Sequence, residues 1–219
     1  MKRRLCLTAV LLVLTVFTGM ESVRTLRNRQ DLVYAESLSE VAVTIDEKEL
    51  TLFDMAFYVA YQEKEVQKDA VIYNSEQPHK YWNAHTNGQF VRAVAERAVV
   101  DMAVHDEIFY QLASAEGIVL DEREEAYLAN EIADFCSDVT EEQLAELGVT
   151  AEDMAATMQK IALANKYQSI LSQIDGVDYT EYDYTGSLYA DLVAQYEVVV
   201  NEKVWDRVSV GSITVNRNN

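Results

Sequence analysis

A mainly α-helical chain with a short β-hairpin at its start is predicted by three observations. Glycine and proline are scarce, seven and one in 219 residues, whereas turn-dense β-folds and glycine-rich nucleotide folds use more of both. Apolar residues recur at three- and four-residue steps over several long stretches. Thr51, Thr140 and Thr150 each stand where a helix start is expected, and Gly117 and Gly148 where one ends.

The elements follow in order. Val41–Ile45 is a β-branched run, Asp46-Glu47-Lys48 a turn, and Glu49–Thr51 a returning strand. Thr51 with Asp54 reads as a capping box for a helix reaching about Asp69. Ala70–Asn87, polar and carrying Pro78, reads as a loop or a broken helix. Gly88–Glu116 is the longest helical pattern, with Val91, Val94, Ala98, Met102, His105, Phe109 and Leu112 on one face and Phe90, Val100, Val104 and Ile108 widening the apolar surface, as expected of a central, buried helix. Leu120–Ser137, Glu141–Leu147 and Thr150–Ile174 continue the helices. Asp175–Ser187 is an acidic, tyrosine-rich bridge that reads as a solvated linker. Leu188–Gln195 is a short helix, Tyr196–Val200 a strand-like run, Asn201–Val208 a last turn, and 209–219 a flexible polar tail.

The N-terminus has the pattern of an export segment. Lys2, Arg3 and Arg4 precede sixteen apolar residues, Leu5–Met20. Val33-Tyr34-Ala35 has the small-residue character of a cleavage site before Glu36, yet it lies far past the apolar run, and Arg24, Arg27 and Arg29 intervene. Residues 1–35 are therefore read as a cleaved signal peptide or an uncleaved membrane anchor with a juxtamembrane segment. The expected location is outside the cytoplasm, secreted or held at the membrane by that segment.

Charge narrows the partners. The net charge is −19, and the six basic residues and one acid of the first thirty leave 12 basic and 36 acidic residues beyond them. Such a surface repels phosphate backbones, so nucleic acid is not an expected partner. Cys6 lies in the apolar run, which leaves Cys136 alone, so neither a disulfide framework nor a cysteine zinc site is expected.

The catalytic motifs sought are missing from the sequence. It has no phosphate-binding glycine loop, no Gly-x-Ser-x-Gly and no His-Glu-x-x-His. Glu76 and His79 have the spacing of one di-iron half-motif, but only one occurs and Pro78 interrupts it. Asp175, Asp178, Glu181 and Asp183 fail the EF-hand spacing. His105, on an apolar face, reads as a core histidine. No metal, cofactor or catalytic residue is expected. The candidate binding residues are aromatic: Phe57, Tyr58, Tyr61, Tyr81, Trp82 and Phe90 cluster near one helix–loop–helix corner. Exposed aromatics give contact area without demanding a sequence, which suits unfolded segments.

The order of these pieces carries a resemblance. A strand pair (VAVTIDEKELTL), an aromatic helix (FDMAFYVAY), a loop with Tyr81-Trp82, a long helix ending in LASAEGIVLDEREEAYL, a short helix and a long helix follow one another over Val41–Ile174. This resembles the N-terminal chaperone domain of SurA/PrsA-type foldases, itself similar to part of trigger factor. The resemblance implies a split chaperone domain over residues 36–208. It also implies that Leu188–Val208 is a small C-terminal return segment. A parvulin isomerase domain would stand at 175–187, where thirteen residues cannot hold a domain of about ninety. The expected function is a non-catalytic holdase for unfolded exported polypeptides, with an envelope adaptor for one specific partner as the alternative. A peptidyl-prolyl isomerase ranks below both, because no catalytic residue carries over. The sequence departs from the family in its Asp46-Glu47 turn, usually Asn-Gly, and in lacking a lipoprotein cysteine.

Overall fold

The structure, a computed structural model, describes residues 32–216. The predicted export segment up to Asp31 lies outside the described residues. The chain is mainly helical, with a small sheet near its start.

Strands β1 (Val41–Ile45) and β2 (Lys48–Thr51) form the expected antiparallel hairpin. Asp46 at its turn takes φ +50°, a left-handed conformation that aspartate tolerates better than most residues. Ala42, Val43 and Ile45 are buried. Helix α1 (Leu52–Tyr73) starts at the capping box, where the Thr51 N–H donates to Asp54 Oδ2 at 2.9 Å. It runs four residues past its expected end and buries Leu52, Met55, Val59 and Glu63.

The segment after α1 is more ordered than a loop. Asn74 Oδ1 accepts from the N–H groups of Glu76 and Gln77. A single turn, α2 (His79–Trp82), follows Pro78, which has no N–H to lose at a helix start. Strands β3 (His85–Thr86) and β4 (Gln89–Phe90) close a small hairpin. Its Asn87-Gly88 turn has positive φ at both residues, the geometry this dipeptide favours.

Helix α3 (Val91–Ala115) lies between α1 and α6 (Ala151–Asp175), its two largest packing partners. Its buried face differs from the predicted one in the first half. Val91 and Val100 are buried as predicted, but Val94 is exposed, and Ala95 and Val99 are buried. With a helix on each side, the covered surface is wide and centres on Val99/Val100 and Ala103/Val104. The burial of Val100, Val104 and Ile108 beside the three–four stripe is the widening the sequence predicts. Helix α4 (Glu122–Asp138) rests on α6 and buries Phe135 alone. Helix α5 (Glu141–Leu147) ends at Gly148, φ +69°, where an added Cβ would sit 2.8 Å from Ala35 Cα.

The chain then returns. The bridge expected to be a solvated linker is partly packed. A 3-10 turn, Tyr179–Tyr182, places the Tyr182 ring in a second apolar cluster with Phe109, Ala113, Ala164, Tyr167 and Tyr189. The Tyr182 hydroxyl donates to Asp175 Oδ2. After α7 (Ser187–Val193), strand β5 (Val198–Val200) pairs antiparallel with β1, giving a sheet of order β2-β1-β5. Asn201 Nδ2 donates to the Val41 carbonyl at 2.8 Å. Helix α8 (Glu202–Trp205) buries Val204 and Trp205.

Two boundaries move. The expected flexible tail from 209 onward is core along most of its described length. Val210 is fully buried, and Ile213 and Thr214 nearly so. Its backbone is held by the Glu63 carboxylate, which accepts from the N–H groups of Gly211, Ile213 and Thr214. The sequence looks polar here because its hydrogen-bonding capacity is spent on a buried partner. At the other end, the domain begins before Glu36. Tyr34 is 3% exposed and its hydroxyl donates to the Leu52 carbonyl at 2.6 Å.

Candidate peptide-binding groove

Three helices leave an open groove of about 960 Å³ between them, lined by residues of α1, α4 and α6 and the turn at Tyr179. From α1 come Phe57, Tyr61 and Lys64, four and three residues apart and so on one side of the helix. From α4 come Tyr127, Leu128, Glu131, Asp134 and Phe135. From α6 come Met158, Ile161, Ala162 and Lys166. Phe57 and Phe135 meet with ring centroids 4.9 Å apart, and Tyr61 stacks on Phe57 at 6.1 Å and 18°. Lys64 Nζ lies 5.4 Å from the centre of the Phe135 ring. Together these make an apolar floor.

The groove is open because α4 is amphipathic but thinly apolar. Its sequence alternates acids with Leu128, Ile132 and Phe135, a narrow stripe that reaches α1 and α6 at few points. At its start, Asp121 accepts from the N–H groups of Arg123 and Glu124 while the Glu124 carboxylate accepts from the Asp121 N–H. These bonds hold the Asp121 carboxyl below the usual carboxylate range, the Glu124 N–H first among them. Lys166 of α6 then clips this end in place by donating to Glu124 and to the Val119 carbonyl. Its ammonium is the main reason the Glu124 carboxyl is lowered. At the far end Lys64 of α1 donates to Asp138 at 2.6 Å and lowers that carboxyl too. Each end of α4 is thus tied by one ion pair, and the span between is left open.

The rim is acidic. Asp121, Glu124, Glu131, Asp134 and Asp138 stand against Lys64, Arg123 and Lys166. Tyr127, 66% exposed, donates to Glu131, which raises the tyrosine pKa. Burial, then the charges of Asp183 and Asp106, push Tyr179 up to about 12, so it stays a neutral phenol at the groove edge.

The six aromatic residues singled out in the sequence separate into three places. Phe57 and Tyr61 line the groove. Tyr58 and Trp82 are in the core, 7% and 0% exposed, so neither presents a ring to a bound chain. Tyr58 lies in the layer between α1 and α3, where burial, then the charge of Asp106, raises its pKa well above the ordinary value. The Trp82 indole N–H donates to Gln67 Oε1 at 3.0 Å. Tyr81 packs on Tyr73, and Phe90, 56% exposed, meets the His85 ring edge-on. None of these four lines the groove. The expected corner was drawn from nearness in sequence, while the helix turns send Tyr58 inward and Tyr61 outward.

The groove residues missed in the sequence lie on α4 and α6. Phe135 carried a usable signal, as an apolar aromatic in an acidic helix at a four–three step from Leu128 and Ile132. Met158 and Ile161 carried none, since apolar positions run around much of α6.

Elsewhere several titratable groups are internally satisfied, whereas the buried Nδ1 of His79 has no hydrogen-bond partner among the described residues. His105 Nδ1 lies 2.8 Å from Asp106 Oδ1 and its Nε2 2.9 Å from the Tyr182 carbonyl, the satisfied core histidine expected. Asp178 accepts from Thr180, and Asp183 from Gln168. Among the described residues no group of three or more metal-ligating side chains converges, and no helix is long and apolar enough to cross a membrane.

Comparison with known protein families, with curated proteins and with solved structures finds no match to the chain.

Proposed function

We propose that this protein is a non-catalytic holdase that binds unfolded segments of exported polypeptides in the groove between α1, α4 and α6, in the manner of the SurA/PrsA-type chaperone domain its sequence resembles. The carrying observation is the open groove floored by Phe57, Tyr61, Phe135, Met158 and Ile161. Aromatic and methionine side chains adapt to many apolar partners, which favours broad rather than selective contact. Burial of apolar surface contributes about 25 cal/mol per Å², and the cost of ordering a flexible client offsets much of it. Weak, exchangeable binding is the expected result. The acidic surface keeps occupied complexes apart in solution.

The return of β5 to β1 across the short bridge supports a chaperone domain without a parvulin insertion. The function is accordingly holding rather than isomerising, outside the cytoplasm if the N-terminal segment directs export. The test adds the protein to a chemically unfolded, aggregation-prone client and follows light scattering, with prolyl isomerisation of a short peptide measured in parallel. Suppressed scattering with no isomerase acceleration is expected. Unchanged scattering at several-fold molar excess would refute the holdase reading. One stoichiometric partner recovered by cross-linking would then favour the adaptor.

A further inference from the structure

We infer that the groove selects its occupants by charge: it takes polypeptide segments in which an apolar or aromatic stretch is bounded by lysine or arginine, and disfavours the same stretch bounded by acids. This rests on the groove reading above and adds to it the chemistry of the client.

The argument is the distribution of charge along α4. Of the rim cations, Lys64 is engaged by Asp138 and Lys166 by Glu124, and Arg123 adjoins Asp121, whose carboxyl it helps to lower. Glu131 and Asp134 remain without a cation, three residues apart on the exposed side of α4 beside the floor residue Phe135, Glu131 accepting only from the neutral Tyr127 hydroxyl. Among the described residues neither forms an ion pair. The mid-groove is therefore apolar below and anionic above, with the Lys64 and Lys166 ammonium groups already paired. A client's apolar stretch can enter the floor while a flanking ammonium or guanidinium meets Glu131 and Asp134. An acidic flank meets two uncompensated carboxylates over a low-dielectric floor, where like charges repel more strongly than in bulk water. The strongly negative body of the chain extends the same preference to longer range.

The test uses the full-length chain and two fluorescent peptides with one shared apolar-aromatic core, flanked by lysines in one and glutamates in the other. Anisotropy titration is expected to give about tenfold tighter binding of the lysine peptide at about 50 mM salt, shrinking toward parity at about 500 mM. The double variant Glu131→Lys/Asp134→Lys, at two exposed positions, is expected to lose or invert the preference while circular dichroism stays unchanged. Equal binding of both peptides would overturn charge selection and leave the groove reading intact. Binding of neither peptide would overturn both. Selectivity retained in the double variant would place the contact elsewhere and overturn the assignment. So would a concentration-dependent dimer, or an intramolecular contact of the chain's own basic N-terminal residues, that competes with the lysine peptide and shows the groove to be already filled.

Discussion

The buried carboxylate of Glu63 on α1 accepts a hydrogen bond from the Thr214 hydroxyl, 151 residues further along the chain. With the N–H groups of Gly211, Ile213 and Thr214 it has four donors and, among the described residues, no cation. Burial raises the Glu63 pKa, and the four donated bonds oppose that rise.

Glu63→Ala is expected to cost at least about 3 kcal/mol, because buried donors left without an acceptor carry about 1–3 kcal/mol each. Urea unfolding followed by far-ultraviolet circular dichroism measures it. Thr214→Val removes one donor and is expected to cost about 1 kcal/mol.

Glu63 also sets a pH dependence. A carboxyl whose pKa is raised by folding contributes stability that is fully present below the ordinary glutamate value and is lost as pH rises through the folded value. The stability gap between the wild type and Glu63→Gln, which does not titrate, is therefore expected to be wider near about pH 4 than near about pH 7. Paired urea titrations at the two pH values would show it, and a gap that widens with rising pH would contradict the assignment.

Gly211→Ala is expected to destabilise strongly. Gly211 has φ +93°, and an added Cβ would lie 2.3 Å from Trp82 Cε3, inside the fully buried indole. Left-handed strain and overpacking each cost about 1–3 kcal/mol. A lower thermal midpoint with a shifted tryptophan emission is the expected reading.

Tyr34→Ala is expected to cost about 3–5 kcal/mol, as for other large buried aromatics. The same residue makes a chain starting at Glu36 less stable than one starting at Leu32. Differential scanning calorimetry of the two chains decides whether residues 32–35 belong to the folded domain.

Tyr61→Ser and Trp82→Ala separate binding from folding. Tyr61 is 40% exposed and lines the groove, so its loss is expected to weaken client binding several-fold with little change in unfolding midpoint. Trp82 is fully buried, so its loss is expected to cost about 3–5 kcal/mol. Comparing anisotropy with thermal melts distinguishes the two.

Helix starts were the most legible feature of the sequence, because a capping box is local chemistry. Thr51 with Asp54, Thr140 with its neighbours and Thr150 with Asp153 could be read without knowing what the helices touch. The hairpin at Asp46 was legible for the same reason. What each helix faces was less so. Val94 and Val99 have the same side chain, and only the placement of α1 and α6 decides that one is exposed and the other buried. The groove was half-legible: Phe57 and Tyr61 stood out as aromatics, but Phe135 comes from a helix more than seventy residues later. The tail was misread because Thr214 and Gly211 look like solvent-seeking residues until Glu63 is set among them.

The Glu63–Thr214 tie also orders events in time. At about 5–20 residues per second of synthesis, the 151 residues between the two partners mean that Glu63 waits about 8–30 s for its donors. β1 likewise waits for β5. Until then α1 carries a carboxylate on the side it must bury, and the nascent molecule cannot close its core around it. A protein arranged this way completes its core only after residues 211–214 have been made.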